Sequence, residues 1–213
     1  RYPGRGLVLA GLADGPAAAY LLTGRSQASR SRRLEIAGDG RLRVRAVDAP
    51  DDDPLRHYAA AVEEAGWTVL GNGSQVTPMA GDLAAGDPFA AALARHRFEP
   101  DPPIHTPRIT LAQRQGEPHA LFGSALRAEH LDRPCWLAVE VPLPEVGDGY
   151  LLTTYAGGPA PTAQRSLLDG EVGAAGRGEL ADLIWDALDP ALRVAVAVRS
   201  LAGPAAWEIR QSD

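Results

Sequence analysis

The sequence predicts an α+β protein: two mostly antiparallel sheets with helices on their outer faces, folded as a single domain over residues 1–213. Three observations carry this. Short alternating apolar runs, separated by Gly, Pro, Asn and Asp turns, recur along the chain and pair naturally as hairpins. The helical stretches are few and amphipathic, so each needs a sheet face to cover. No internal repeat, coiled coil or low-complexity tail breaks the pattern.

In chain order, "GLVLAGLADGPAAAYLLTGRS" reads as two strands around a turn at Asp14-Gly15-Pro16. "RLEIAGDGRLRVRAV" is a second hairpin, with Leu34 and Ile36, then Leu42, Val44 and Ala46, alternating with polar residues about Gly38-Asp39-Gly40. The acidic run "DAPDDDP" is expected to cap a helix over 55–65, which places His57 and Tyr58 on that helix. "WTVLGNGSQV" reads as a strand, an Asn-Gly turn and a second strand. "DPFAAALARHRF" reads as a short helix with Asp87 as N-cap and Pro88 at the first helical position. Beyond the proline-rich "EPDPPIHTPR", the runs "RITLAQR", "HALFGSAL", "CWLAVEVPL" and "GYLLTTYAG" are strands. A helix over 177–188 offers Leu180, Leu183, Ile184 and Leu188 as its apolar face and stops at Asp189-Pro190. "LRVAVAVRSL" and "AAWEIRQ" are the last strands.

Composition excludes several chemistries. All 21 basic residues are arginine, so Schiff-base formation, pyridoxal-phosphate attachment and a P-loop lysine are ruled out. Cys135 is the one cysteine, which excludes an internal disulfide, and its apolar surroundings in "PCWLAVEV" predict a buried thiol. The five histidines are scattered and no CxxC or HExxH occurs, so no metal site is expected. No GxSxG occurs, and "GRGLVLAG" lacks the glycine spacing of a dinucleotide loop. A net charge of −6 argues against broad nucleic-acid binding. No apolar run approaches the roughly 18 residues of a membrane span. The opening residues carry no cleavage pattern, so a cytoplasmic protein without membrane contact is expected.

Against this acidic background, "YLLTGRSQASRSRR" gathers Arg25, Arg30, Arg32 and Arg33 behind one strand. Such a run is either a solvated turn or an anion seat. Arg25 and Arg30 straddle a polar turn in which Ser26 adds a hydroxyl, and a guanidinium fork matches phosphate oxygens. Asn72 and Ser74, in "GNGSQ", sit on a tight turn that suits either a plain hairpin or a backbone approach to a ligand. "FEPDPPIHTPRI" places Glu99, Asp101, His105 and Arg108 on one loop stiffened by four prolines. Carboxylates, an imidazole and a cation held together are what general acid–base work requires; the alternative is an ordinary connector.

Taken in order, "YPGRGLVLAG", "AYLLTGRSQASR", "DPLRHYAAA", "GNGSQ" and "FEPDPPIHTPRI" resemble the archaeal-type IMP cyclohydrolases and their bacterial relatives. The resemblance covers residues 2–112 and the later run "YLLTTYAGG". It implies the four-layer αββα sandwich of the N-terminal-nucleophile hydrolases, without use of that nucleophile; Arg1 and Tyr2 offer no Ser, Thr or Cys for it. It implies ring closure of 5-formamidoimidazole-4-carboxamide ribonucleotide to inosine monophosphate, with no cofactor or metal, in a homo-oligomer.

The resemblance also assigns residues. Arg25, Ser26 and Arg30 match a Ser-Arg-Ser-x-x-x-Arg run for the nucleotide phosphate. Tyr58 matches a cleft tyrosine that orients or protonates the formyl oxygen. Asn72 and Ser74 match an Asn-Gly-Ser turn for base or ribose. Glu99 and Asp101 match acidic residues that take a carboxamide proton, and Arg108 matches the arginine of Thr-Pro-Arg. Two departures stand out: Ala28-Ser29 replaces Pro-Asn, and His105 replaces the Asn ahead of Thr-Pro-Arg, where its imidazole is a candidate acid. They leave open a related ring closure on another imidazole or pyrazole nucleotide, or a nucleotide-binding domain without turnover.

Overall fold

The computed structural model describes residues 2–47, 50, 53–157, 162–203 and 206–212. Strands β1 (Arg5–Leu12) and β2 (Gly15–Thr23) form the first hairpin, with Gly15 and Pro16 already inside β2. One helical turn, α1 (Gln27–Arg30), leads into the hairpin β3 (Arg32–Ile36) and β4 (Leu42–Ala46). Strands β5 (Tyr58–Glu64) and β6 (Trp67–Gly71) precede helices α2 (Val76–Ala84) and α3 (Phe89–Ala94). Next come β7 (Arg108–Arg114), β8 (His119–Arg127), β9 (Pro134–Pro142), β10 (Asp148–Thr153) and β11 (Leu168–Glu171). Helix α4 (Arg177–Ala187) and strands β12 (Arg193–Ser200) and β13 (Trp207–Gln211) complete the described elements.

The strands form two antiparallel sheets, ordered β11-β10-β1-β2-β12-β13 and β3-β4-β5-β6-β7-β8-β9. Alternation along each strand builds the layers. Leu7, Leu9, Tyr20 and Leu22 of the first sheet face Leu42, Val44, Leu70, Leu111 and Phe122 of the second. On the far side of the first sheet, Val8, Ala19, Leu21 and Val196 pack against Leu180 and Ala181 of α4. On the far side of the second, Val62, Val69 and Ala112 pack against Met79 and Leu83 of α2 and Phe89 and Leu93 of α3. The arrangement is an αββα sandwich. Every residue of β1 is buried, as a central strand covered on both faces requires.

Several elements differ from the sequence reading. The helix expected over 55–65 is strand β5, and Tyr58 opens it. Alanines favour a helix in isolation, but here β5 hydrogen-bonds β4 on one side and β6 on the other. It meets β6 through Ala65 (φ 47°) and Gly66 (φ 82°), the paired positive φ of a type I′ turn. Asp48, Ala49, Asp51 and Asp52 of the expected acidic cap lie outside the described residues, as does Arg1.

The strand expected after Asn72-Gly73 is helix α2, whose buried Val76, Met79, Ala80 and Leu83 have helical spacing. Pro78 is accommodated because it sits in the first turn, where a missing N–H breaks no helical bond. The N-cap of α3 is Pro88, and Asp87 instead pairs with Arg95 at 2.6 Å. On α4, Leu183 is 44% exposed, so the apolar face is narrower than expected. Cys135 is half-buried rather than buried, because β9 is an edge strand with most side chains partly in solvent.

Candidate active site

Antiparallel pairing brings the start of one strand beside the end of its neighbour. The start of β1, the end of β2, the start of β5, the end of β6 and the start of β7 therefore collect at one edge of the sandwich. At Gly4 (φ 75°) a Cβ would lie 2.1 Å from Thr154 Oγ1, so only glycine lets the chain enter β1 there.

Arg5 is the first residue of β1, and it was not singled out from the sequence. It is 7% exposed, and its Nη2 donates to Glu99 Oε1 at 2.5 Å. Glu99 is 4% exposed and lies on the loop before β7, where its N–H donates to Thr106 O. Burial pushes the Glu99 carboxyl above the usual carboxylate range; Arg5 opposes this and Asp101 adds to it. Burial also opposes the Arg5 charge, but Glu99, Tyr58 and Tyr20 more than offset it.

Beside this pair, Tyr58 on β5 reaches across the sandwich to Tyr20 on β2, hydroxyl to hydroxyl at 2.8 Å. Burial first, then the Tyr58 phenol, raises the Tyr20 pKa well above its ordinary value. A pair of phenols joined by one hydrogen bond leaves one O–H proton over for a third group.

Arg108 opens β7 and is half-buried; burial draws its pKa down and Glu99 opposes that. The Nε atoms of Arg5 and Arg108 are both buried without a hydrogen-bond partner. A buried donor left unpaired costs free energy unless something satisfies it. Both guanidinium groups interact electrostatically with the Glu99 carboxylate.

The remaining expected residues fall into three groups. Asn72 is fully buried and already committed. Its Nδ2 donates to Pro107 O at 2.9 Å and approaches Glu99 Oε1 at 3.4 Å, while its Oδ1 accepts from Ile109 N at 2.7 Å. Asp101 is committed as well, accepting from Thr106 N at 2.7 Å and Thr106 Oγ1 at 2.5 Å. Thr106 in turn accepts from the Tyr155 hydroxyl at 2.7 Å. Both residues thus tie the Glu99 loop to its surroundings.

His105 holds a left-handed backbone (φ 50°), and its ring meets the Phe98 ring edge-on at 5.1 Å. Ser74 is exposed. Ser26 caps α1 in a reciprocal box with Ser29. Arg25 and Arg30 are exposed and go different ways: Arg25 lies 4.5 Å over the Tyr2 ring, which stacks on Tyr155, and Arg30 contacts Gln27.

The sequence reading therefore missed Arg5, Tyr20, Thr106 and Tyr155. Arg5 had a signal, as a charge heading an otherwise apolar run. Tyr20 had none, because a phenol inside "AAAYLL" looks like core.

Among the described residues, no cluster of His, Cys, Asp and Glu has the form of a metal site, and no helix is long and apolar enough to cross a membrane. No curated protein matches the chain. The IMP cyclohydrolase-like proteins match it from residue 2 to residue 203, nearly end to end, spanning both sheets and the edge where Arg5, Glu99, Tyr20 and Tyr58 meet. The chain belongs to the IMP cyclohydrolase-like family.

Proposed function

We propose that this protein is an IMP cyclohydrolase that closes 5-formamidoimidazole-4-carboxamide ribonucleotide to inosine monophosphate with loss of water. The observation that carries the reading is the buried Arg5–Glu99 pair set beside the Tyr20–Tyr58 hydroxyl pair. Ring closure needs a base for the attacking nitrogen, donors for the oxygen that gains charge, and a fixed geometry between the two. Glu99 supports the reading as a base, and the Tyr58–Tyr20 phenols with Arg5 and Arg108 support it as donors.

In this reading Glu99 takes a proton from the carboxamide nitrogen as that nitrogen attacks the formyl carbon. Its raised pKa suits a base that must hold the proton and return it. The formyl oxygen, now an alkoxide, is met by the spare phenolic O–H of the Tyr58–Tyr20 pair and by the unpartnered Nε of Arg5 or Arg108. The oxygen gains the carboxamide proton to become a hydroxyl. It then leaves as water with a second proton, from the former formamide nitrogen, and the C=N bond of the new ring forms. Carboxamide N–C bond formation and C–O cleavage balance as loss of one water.

Asp101 and Asn72 act as positioning residues, because their polar atoms already hold the loop. Glu99 is thus the better candidate of the two carboxylates. Arg25 and Arg30 remain the candidate contacts for the nucleotide phosphate. His105 is a candidate acid only if its ring leaves Phe98.

The test is an ultraviolet absorbance assay of ring closure with the purified protein in the presence of a chelator. Turnover is expected. Absence of turnover with this substrate removes the reading.

A further inference from the structure

Gln75 has no part in the chemistry above, yet its amide is fully buried close to Glu99. It stands at the N-cap of α2, and its Nε2 donates to Ile109 O on β7 at 3.1 Å. Only the nitrogen end of an amide can donate to a carbonyl, so this bond fixes which way the side chain points. The other end, Oε1, is buried and accepts no hydrogen bond among the described residues. A buried acceptor left unpaired costs free energy, and what pairs with it must be a donor.

Two glycines shape its surroundings. At Gly71 a Cβ would lie 3.0 Å from Gln75 Nε2 and 2.7 Å from Ile109 O, so glycine at the end of β6 lets the amide lie against β7. At Gly73 a Cβ would lie 2.8 Å from Gln75 Oε1, 3.5 Å from Glu99 Oε1 and 3.8 Å from Arg108 Nε. The free acceptor, the carboxylate and the guanidinium therefore converge on one side of Gly73. Without a side chain there, the backbone leaves that side open to close approach by a ligand.

We propose that Gln75 is a substrate-binding residue whose Oε1 accepts a hydrogen bond from the attacking carboxamide nitrogen. The inference rests on the cyclohydrolase function proposed above. A carboxamide nitrogen carries two N–H groups. Glu99 takes the proton of one, and Gln75 holds the other. Holding it fixes the plane of the amide and aims the nitrogen at the formyl carbon. This second proton is not lost in ring closure and ends as the N1–H of the product. Gln75 thus grips substrate and product alike. It rejects a ligand without an N–H at that position, because its oxygen would then stay buried and unpaired. Its neighbours on the turn do not offer this contact: Asn72 is committed at both ends of its amide, and Ser74 is exposed.

The experiment is a calorimetric titration of the wild-type protein, Gln75→Met and Gly73→Ala with inosine monophosphate and with its N1-methyl analogue, followed by steady-state kinetics. Gln75→Met keeps the length of the side chain and removes the acceptor, but it also unpairs Ile109 O. Gly73→Ala keeps that anchor and sets a methyl group among the three converging atoms, on a backbone outside the left-handed region. Binding of inosine monophosphate is expected to weaken about tenfold or more in each variant. KM for the substrate should rise in step, because the contact is made before and after ring closure. The wild type should prefer inosine monophosphate to the N1-methyl analogue, and Gln75→Met should lose most of that preference. A purely structural role would leave the preference intact.

Wild-type affinity for inosine monophosphate in Gly73→Ala, or an unchanged preference in Gln75→Met, overturns the inference and leaves ring closure by the wild type untouched. If Gln75→Met does not fold, Gly73→Ala decides. If the wild type binds inosine monophosphate but closes no ring, the cyclohydrolase reading falls, and the preference lost in Gln75→Met still assigns the contact. A wild type that neither binds the nucleotide nor closes the ring removes both.

Discussion

Arg5 and Glu99 lie 94 positions apart in the chain and meet at 2.5 Å, with 8% and 6% of their side chains exposed. The pair couples the head of β1 in one sheet to the loop that feeds β7 in the other. Removing one partner leaves the other charge buried. Arg5→Ala is therefore expected to destabilise the fold by about 3–5 kcal/mol. Urea unfolding measures this, and a loss below about 1 kcal/mol would mean that water reaches the pair.

With Glu99 as the proposed base, its ionisation should set the pH dependence. Its pKa is raised, chiefly by burial, so it is protonated at a higher pH than an ordinary glutamate. A base must be ionised to act. The rate should therefore fall as pH is lowered through a value above the usual carboxylate range, and hold steady above it. Glu99→Gln should cut kcat by roughly 10²–10⁴-fold and abolish the acid limb. A variant that keeps the limb assigns the base elsewhere.

The phenol pair carries the third prediction. Tyr58→Phe removes one hydroxyl from a bond of 2.8 Å and leaves the Tyr20 hydroxyl buried without its partner. The expected result is a drop in kcat of about 10²-fold with little change in KM, because the donor acts on charge that develops during the reaction. Tyr20→Phe should behave alike. Normal turnover in both variants would remove the pair from the mechanism.

Asp101 should separate from Glu99 in the same assays. Both Asp101 oxygens accept from Thr106, so Asp101→Ala loosens the loop and costs about 1–3 kcal/mol of stability. Its pH–rate profile should retain the acid limb that Glu99→Gln loses. Loss of the limb in Asp101→Ala, with stability unchanged, would reverse the two roles.

Phe122 tests the core apart from the chemistry. It is 1% exposed between the sheets and meets the Tyr150 ring at 6.4 Å. Phe122→Ala is expected to cost about 3–5 kcal/mol in thermal or urea unfolding. A much smaller cost would place the layers further apart than the packing indicates.

Much of this architecture is legible in the amino-acid order, because hairpins are local. Leu34, Ile36, Leu42 and Val44 alternate around a glycine turn, and they pair as that alternation requires. Where local and tertiary preferences conflict, the sequence misleads. The alanines of "HYAAAVEE" favour helix on their own, and only the flanking β4 and β6 make them strand β5. Helix α2 differs from expectation for another reason: Val76, Met79, Ala80 and Leu83 carry its period, but the Asn-Gly pair ahead of them is also a hairpin signal.

By itself the sequence determined the fold class, the hairpins β1–β2 and β3–β4 and the loop on which Glu99, Asp101 and Arg108 lie, because alternation, turn residues and proline act over a few positions. Only the tertiary structure decided which of those groups work together. It set Arg5 against Glu99 and Tyr20 against Tyr58, committed Asn72 and Asp101 to holding the loop, and sent Arg25 and Arg30 to different neighbours. The physical reason is that these partners come from separate strands and loops. Their chemistry depends on burial and on distances of about 3 Å, which arise only when the two sheets close on each other.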